Sequence, residues 1–148
     1  MRKDRRGIEG LPLRLMLVAL LISMTLPAVL SSLGNATLEM NDRKLASIAE
    51  HLARTVEEMA AAGPGNVRVV HMPGDLPAGA RVLIGGAENT SECHRLSWGQ
   101  VDDELGSTYL NGVFVLTEDG RPLRLGSGDV LRLSCPLHTW DEVRAELI

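Results

Sequence analysis

The sequence predicts an α+β protein in which one long amino-terminal helix, first transmembrane and then amphipathic, packs on a small antiparallel β-meander head. Three observations predict this fold. Residues 15–38 carry no charged side chain, residues 36–63 repeat apolar side chains at helical spacing, and the chain beyond residue 64 alternates β-branched runs with glycine turns. The length of 148 residues, 45% of them hydrophobic, suits one modest domain with an appendage.

The uncharged run has a core of nineteen residues, LMLVALLISMTLPAVLSSL. As an α-helix it would be about 28 Å long, which matches the hydrocarbon thickness of a bilayer. The first 14 residues carry five basic and two acidic side chains, whereas residues 15–148 carry ten basic and seventeen acidic ones. The positive-inside rule therefore predicts a cytoplasmic amino terminus and an extracytoplasmic head. The acidic body also argues against a nucleic-acid-binding surface.

Three processing outcomes are open for this segment. It can remain as an uncut signal anchor, be removed by a secretory peptidase after Gly34-Asn35-Ala36, or be trimmed only at its basic leader. The apolar run is longer than the usual secretory core of about 7 to 15 residues, which argues against the second outcome.

The leader MRKDRRG and the following IEGLPLRLMLVALL carry a resemblance to a known family. They resemble the precursors of type IV pilin-like proteins, most closely archaeal members with class III signal sequences, which a prepilin-type peptidase cuts after a glycine. The resemblance implies cleavage after Gly7, Ile8 as the new amino terminus and Glu9 as the early acidic residue. That acid usually stands fifth in the mature chain, whereas Glu9 would be second, so cleavage after Gly10 stays open.

A carboxylate among apolar side chains is costly unless it is neutralised. In a packed filament, the partner of Glu9 would be the new α-amine of a neighbouring copy or the guanidinium of Arg14. Both residues are therefore candidates for setting the register between subunits. The alternative is that both side chains lie at headgroup depth and reach into water.

The sequence thus divides into four parts: a basic leader (1–7), a transmembrane or filament-core helix (8–35), an amphipathic stem helix (36–63) and an extracytoplasmic β-rich head (64–148). The resemblance implies a pilin or minor pilin-like subunit of a cell-surface filament, held in the membrane by a single pass before assembly. Its implied partners are the membrane, the peptidase, and further copies or other pilin-like subunits. The alternative is an uncleaved single-pass protein that displays the head as a binding domain.

The stem helix is predicted from an apolar stripe and from its end signal. The stripe repeats at three-, four- and seven-residue steps, and its members are Leu38, Leu45, Ile48, Leu52, Val56 and Met59. The Gly63-Pro64-Gly65 sequence predicts where the helix ends.

The head is predicted to be a sheet followed by a closing helix. Two short strands, VRVVHM and RVLIGG, precede a four-stranded meander, STYL, VFVLTE, RPLRL and DVLRLSC. Turns at Asn111-Gly112, Asp119-Gly120 and residues 126–128 separate the meander strands, and Asn-Gly and Asp-Gly pairs are strong hairpin signals. In the final HTWDEVRAELI, Thr139 and Glu142 have capping-box spacing, which predicts a short helix.

The two cysteines, Cys93 and Cys135, are predicted to form a disulfide. Both lie outside the membrane in the predicted topology, and closing a loop of about forty residues stabilises a small head by roughly 3 to 4 kcal/mol. The alternative is a zinc site that adds His94 and His138. Adjacent residues on a strand point to opposite faces, which argues against Cys93 and His94 holding one ion.

The sequence predicts no catalytic site, metal or cofactor, because it contains no G-x-S-x-G, P-loop or H-E-x-x-H motif. It contains two N-glycosylation sequons, at Asn35 and Asn89. Asn35 lies at the membrane boundary, where a glycan would be crowded. Asn89 lies in a turn-like stretch of the head and is the better candidate.

Overall fold

The computed structural model of the protein describes residues 6–101 and 103–148, with side chains from Pro12 onward. A single helix, α1 (Arg6–Ala62), accounts for the first 57 of these residues and includes Pro12 and Pro27. The chain divides into two compact units after Met40, and α1 contributes to both of them. The second unit contains the rest of α1 and the whole head.

The apolar stripe predicted for the stem lies in α1, and most of it is buried. Leu38 is 53% exposed, so burial begins only after that position. Ile48 is half-buried against the core, and the remaining members are at most 3% exposed: Leu45, Leu52, Val56 and Met59. The helical spacing of the sequence therefore predicted the buried face of α1 correctly.

The end of α1 follows the predicted glycine signal. Gly63 has a φ of +92°, a left-handed conformation that only glycine adopts without strain. Its N–H donates to Ala60 O at 3.1 Å, and Asn66 Nδ2 donates to Gly63 O at 2.8 Å. These bonds turn the chain from the helix into the first strand.

In the described part of the chain, eight strands follow α1, with a short 3-10 helix (Ser91–His94) before the third strand. They are β1 (Val67–His71), β2 (Arg81–Ile84), β3 (Arg95–Gln100), β4 (Asp103–Tyr109), β5 (Phe114–Thr117), β6 (Leu123–Leu125), β7 (Val130–Ser134) and β8 (Glu142–Leu147). They form two four-stranded sheets, ordered β1-β7-β8-β5 and β4-β3-β2-β6. Among these described strands, every pair is antiparallel except the parallel pair β5 and β8.

The predicted four-stranded meander is wrong. Its strands became β4, β5, β6 and β7, which alternate between the two sheets, so no two of them are hydrogen-bonded to each other. The turn glycines have a left-handed backbone, with φ of +68° at Gly112, +64° at Gly120 and +77° at Gly128, but Asn111 and Asp119 do not have the positive φ that a hairpin turn at Asn-Gly or Asp-Gly requires. Each of these turns carries the chain from one sheet to the other, because both sheets contribute apolar faces to the same core.

The predicted closing helix is also wrong, because this segment forms strand β8. Thr139 Oγ1 donates to Glu142 Oε2 at 3.3 Å, a bond between the two side chains and not the side-chain to backbone bonds of a capping box, and no helix follows it. Burial alternates along the strand: Val143 and Ala145 are buried and Arg144 is exposed. This period of two places the buried side chains in the core between β5 and β7.

One hydrophobic core joins the two sheets to the second part of α1. It includes Leu52 and Val56 from α1, Ile84 and Leu96 from one sheet, and Leu133 from the other. All five are at most 2% exposed. The α+β class is therefore confirmed, with an apolar helix packed on two small, mostly antiparallel sheets.

Candidate functional site

The part of α1 before residue 41 exposes its apolar side chains on every side. Large apolar residues there are between 51% and 75% exposed, and they occur at consecutive positions, so they surround the helix axis. They are Leu13, Leu15, Met16, Leu17, Val18, Leu20, Leu21, Ile22, Met24, Leu26, Val29, Leu30, Leu33, Leu38 and Met40. This set of fifteen side chains is called the apolar segment below.

The apolar segment is long and apolar enough to cross a membrane. Its most apolar 18-residue window has a mean hydropathy of 2.2, and none of that window is buried. Membrane anchors and signal sequences share this property. The segment can therefore act as either, as the sequence predicted.

Several hydroxyl groups in this part of α1 bond to the helix itself. Ser23 Oγ donates to Leu20 O at 2.8 Å, and Thr25 Oγ1 donates to Leu21 O at 2.9 Å. A polar group in an apolar environment is costly unless it is hydrogen-bonded, and these bonds provide the partner locally. These two hydroxyls therefore do not oppose placing the helix among lipid tails or apolar neighbours.

The predicted processing residues lie at the start of α1. The backbone of Gly7, Ile8 and Glu9 is helical, but their side chains lie outside the described residues. Arg14 is described and is exposed. A contact between Glu9 and Arg14 is therefore outside what the structure describes, and the role of both residues stays a prediction.

Polar contacts attach the head to the second part of α1. Lys44 Nζ donates to Asp75 Oδ2 at 2.5 Å and to Asp75 O at 3.1 Å. Asn111 N donates to the Glu57 carboxylate at 3.1 Å. The sequence alone does not indicate these contacts, because the partners of Lys44 and Glu57 are 31 and 54 residues away along the chain.

The Lys44 ammonium also changes the acidity of its partner. Its hydrogen bond and its positive charge lower the pKa of the Asp75 carboxyl below the usual 3.8. Asp75 is highly exposed, so solvent screens the pair and its contribution to stability is small.

The predicted disulfide is wrong in this structure, because Cys93 and Cys135 are both buried free thiols. They lie in different elements: Cys93 is in the 3-10 helix, and Cys135 follows β7. Each thiol has its own acceptor. Cys93 Sγ donates to Thr90 O at 2.9 Å, and Cys135 Sγ donates to Met59 O at 3.5 Å. Burial raises the pKa of the Cys135 thiol, which favours the unreactive protonated form.

The histidines considered as zinc ligands have other surroundings. The His94 ring packs against Phe114, with 4.3 Å between ring centroids, and its Nδ1 lies 3.2 Å from Val113 O. His138 is exposed in a turn. Among residues 6–101 and 103–148, no three side chains of His, Cys, Asp or Glu come together in a way that could hold a metal ion.

The two sequons lie in different environments. Asn35 is exposed within α1, in the same stretch as the apolar segment. Asn89 is exposed in a turn between β2 and the 3-10 helix. The structure therefore places only Asn89 on the surface of the β-rich head.

Comparisons of this chain with protein families, with curated proteins and with solved structures found no match.

Proposed function

We propose that this protein is a structural subunit, a pilin or minor pilin, of an extracellular filament of the type IV pilus kind. The observation that carries the proposal is the contrast along α1. Its first part exposes apolar side chains on all sides, while its second part is buried by the head along one stripe. Such a helix needs apolar surroundings for its first part only.

The size of the apolar segment makes exposure to water untenable. Fully burying one large apolar side chain contributes about 1.5–3 kcal/mol, and the segment contains fifteen of them, each more than half exposed. A bilayer provides the apolar surroundings before assembly. In the filament, the same segments of neighbouring copies provide them, as helix packs against helix.

The leader supports a filament over a simple anchor. An anchor needs no glycine at the boundary of the apolar run and no carboxylate inside it. Removing residues 1–7 would free an α-amine at Ile8, and that amine can neutralise Glu9 of a neighbouring copy. The pairing would fix the axial position of one subunit against the next.

The second candidate function is an uncleaved single-pass protein that displays the head as a binding domain outside the membrane. The even distribution of apolar side chains around α1 favours it, because lipid contacts a lone helix on every side. This candidate uses the same topology but leaves Gly7 and Glu9 without a function.

Matched glycine variants test the proposal in the native host. We expect the wild-type protein to begin at Ile8 and to appear in filaments sheared from the cell surface. Gly7→Leu should keep the leader and lose the filaments, because a side chain blocks close approach of the peptidase to the backbone. The control Gly10→Leu should be processed and assembled normally.

Amino-terminal sequencing separates the other outcomes. A wild-type chain that begins at Met1 or Arg2 favours the uncleaved anchor and contradicts the filament subunit. A chain that begins at Thr37 is a secreted domain and contradicts both candidates. If Gly10→Leu loses processing and Gly7→Leu does not, the cleavage site lies after Gly10, and the mature subunit does not contain Glu9.

A further inference from the structure

Asn89 has the local structure of an accessible modification site. It lies in the turn that follows β2, and the turn residues 88–91 are all exposed. Its φ is +70°, and among the described residues it is the one non-glycine with a positive φ. Asparagine tolerates this conformation better than most residues. Asn89 is therefore accessible to solvent in a turn whose backbone conformation suits asparagine.

The third residue of this sequon also has the required group available. N-glycosylation needs a hydroxyl two positions after the asparagine, which here is Ser91. Ser91 is exposed, and no hydrogen bond engages its Oγ within the described part of the chain. The hydroxyl of Thr90, between them, is already engaged, because Thr90 Oγ1 donates to Ala87 O at 2.7 Å. The acceptor amide and the hydroxyl are thus both free.

A groove beside Asn89 has a volume of about 270 Å³ and can hold a sugar ring. Phe114 and Leu116, which are half-buried, supply apolar surface in the groove. Asp141 and Glu142 also line the groove, and carboxylates accept hydrogen bonds from hydroxyl groups; the Glu142 carboxylate already accepts bonds from Thr139 Oγ1 and Arg144 Nε. A sugar combines C–H faces with hydroxyl donors, so the groove matches its chemistry.

The sequon at Asn35 differs on each of these points. Its three residues are helical, and its hydroxyl is already used, since Thr37 Oγ1 donates to Leu33 O at 2.9 Å. The exposed Leu33 and Leu38 flank it. A polar glycan at this position would interfere with any apolar environment around the helix.

We propose that Asn89 carries an N-linked glycan whose first sugar lies in this groove, and that Asn35 is unmodified. The inference rests on the extracytoplasmic head that both candidate functions share. The co-reactant is a glycan linked through phosphate to a polyprenyl lipid. A bond forms between Asn89 Nδ2 and the anomeric carbon, and the bond from that carbon to the phosphate oxygen breaks. The lipid phosphate leaves with the electron pair, and the Nδ2 proton passes to solvent.

Peptide mass spectrometry of the full-length protein from its native host tests this site. Trypsin releases Val82–Arg95, which contains only the Asn89 sequon, and Leu15–Arg43, which contains only the Asn35 sequon. We expect the mass of a glycan on most copies of the first peptide and on none of the second. Asn89→Gly should abolish the added mass while keeping the positive φ of the turn, because glycine adopts it freely.

Two further variants distinguish the chemistry from misfolding. Ser91→Ala should lose the glycan because the sequon hydroxyl is gone, whereas Ser91→Thr should keep it. An unmodified Val82–Arg95 peptide overturns the proposal. Protease treatment of intact cells then shows which premise failed: a head that is digested was exported without a glycan, while a protected head also contradicts the proposed function. A glycan on Asn35 instead would equally overturn the assignment.

Discussion

The substitution Leu52→Ala tests whether α1 belongs to the core of the head. Leu52 is 2% exposed and lies in the core that both sheets share. A buried Leu→Ala change costs about 2–5 kcal/mol, through lost transfer energy and the cavity that remains, so we expect a loss of about 3 kcal/mol. With a urea dependence of about 2 kcal/mol per molar, the midpoint of unfolding should fall by roughly 1.5 M.

The matched control is Leu30→Ala, which removes the same atoms from a side chain that is 60% exposed. It should change the free energy of unfolding by only a few tenths of a kcal/mol, and the midpoint by about 0.1–0.2 M, because no core packing is lost. The assay is urea unfolding of the full chain in detergent, followed by the fluorescence of Trp98, which is half-buried against the core. Replacing Trp140, 74% exposed, by Phe removes the background signal. Equal effects of the two Leu→Ala variants, or no effect of Leu52→Ala, would refute the packing of α1 on the head.

Three further predictions follow from the head. Asp75→Asn should lower the urea midpoint slightly at neutral pH. Because the folded pKa of Asp75 lies below 3.8, the stability that the Asp75 carboxylate contributes is present above pH 3.8 and is lost as the pH falls through the folded pKa. A series of urea unfolding curves at different pH values measures this loss. Cys93 and Cys135 should react with a thiol reagent on the order of a thousandfold more slowly in the folded than in the unfolded protein, because access requires an opening that costs about 5 kcal/mol or more. Gly106→Ala should destabilise the head by about 1–3 kcal/mol in the same urea assay, because the new Cβ would lie 2.5 Å from Trp98 Cζ2.

Each of these predictions has a control or a contradicting result. Lys44→Ala combined with Asp75→Asn should cost only slightly more than Asp75→Asn alone, since the ion pair is already broken and only the exposed bond from Lys44 Nζ to Asp75 O is left to lose. Gel mobility that differs between reduced and unreduced protein would reveal a disulfide and contradict the free thiols. Gly74→Ala should be nearly neutral, because nothing lies within 4 Å of the added Cβ; a loss as large as that of Gly106→Ala would contradict the packing argument.

The parts of the fold that depend on neighbours in the sequence were predictable. The stripe ending at Met59 follows from helical periodicity, and the helix end at Gly63 follows from glycine's access to positive φ. The turn glycines Gly112 and Gly120 were predicted for the same reason. A few adjacent residues determine each of these features, so the local sequence is enough to predict them.

The pairing of strands was not predictable from the same signals. A glycine turn fixes the local backbone but does not determine whether the next strand joins the same sheet or crosses to the other. In the last segment, the capping-box spacing of Thr139 and Glu142 led to the prediction of a helix. The structure instead buries Val143 and Ala145 with the period of two that is typical of a strand. Tertiary packing against Leu133 and its neighbours decides that element, and this information lies outside the local sequence.

The candidate site also combines features that the sequence predicted with features that it did not. The apolar segment was evident from hydropathy, and the structure confirms a helix there that can act as a membrane anchor or signal. The cysteine pair was expected to be bridged from its place outside the membrane and from the loop it would close, but in the fold each thiol bonds to a different backbone carbonyl, Thr90 O for Cys93 and Met59 O for Cys135. Contacts such as Asn111 to Glu57 depend on residues far apart in sequence and left no local signal.

The most direct test of the central claim is electron microscopy of intact cells with an antibody against the head, combined with the intact mass of the labelled material. The proposal predicts surface filaments decorated along their length and a subunit mass that corresponds to Ile8–Ile148, plus any glycan. Label spread over the cell envelope without filaments, on a chain that still begins at Met1 or Arg2, would contradict it.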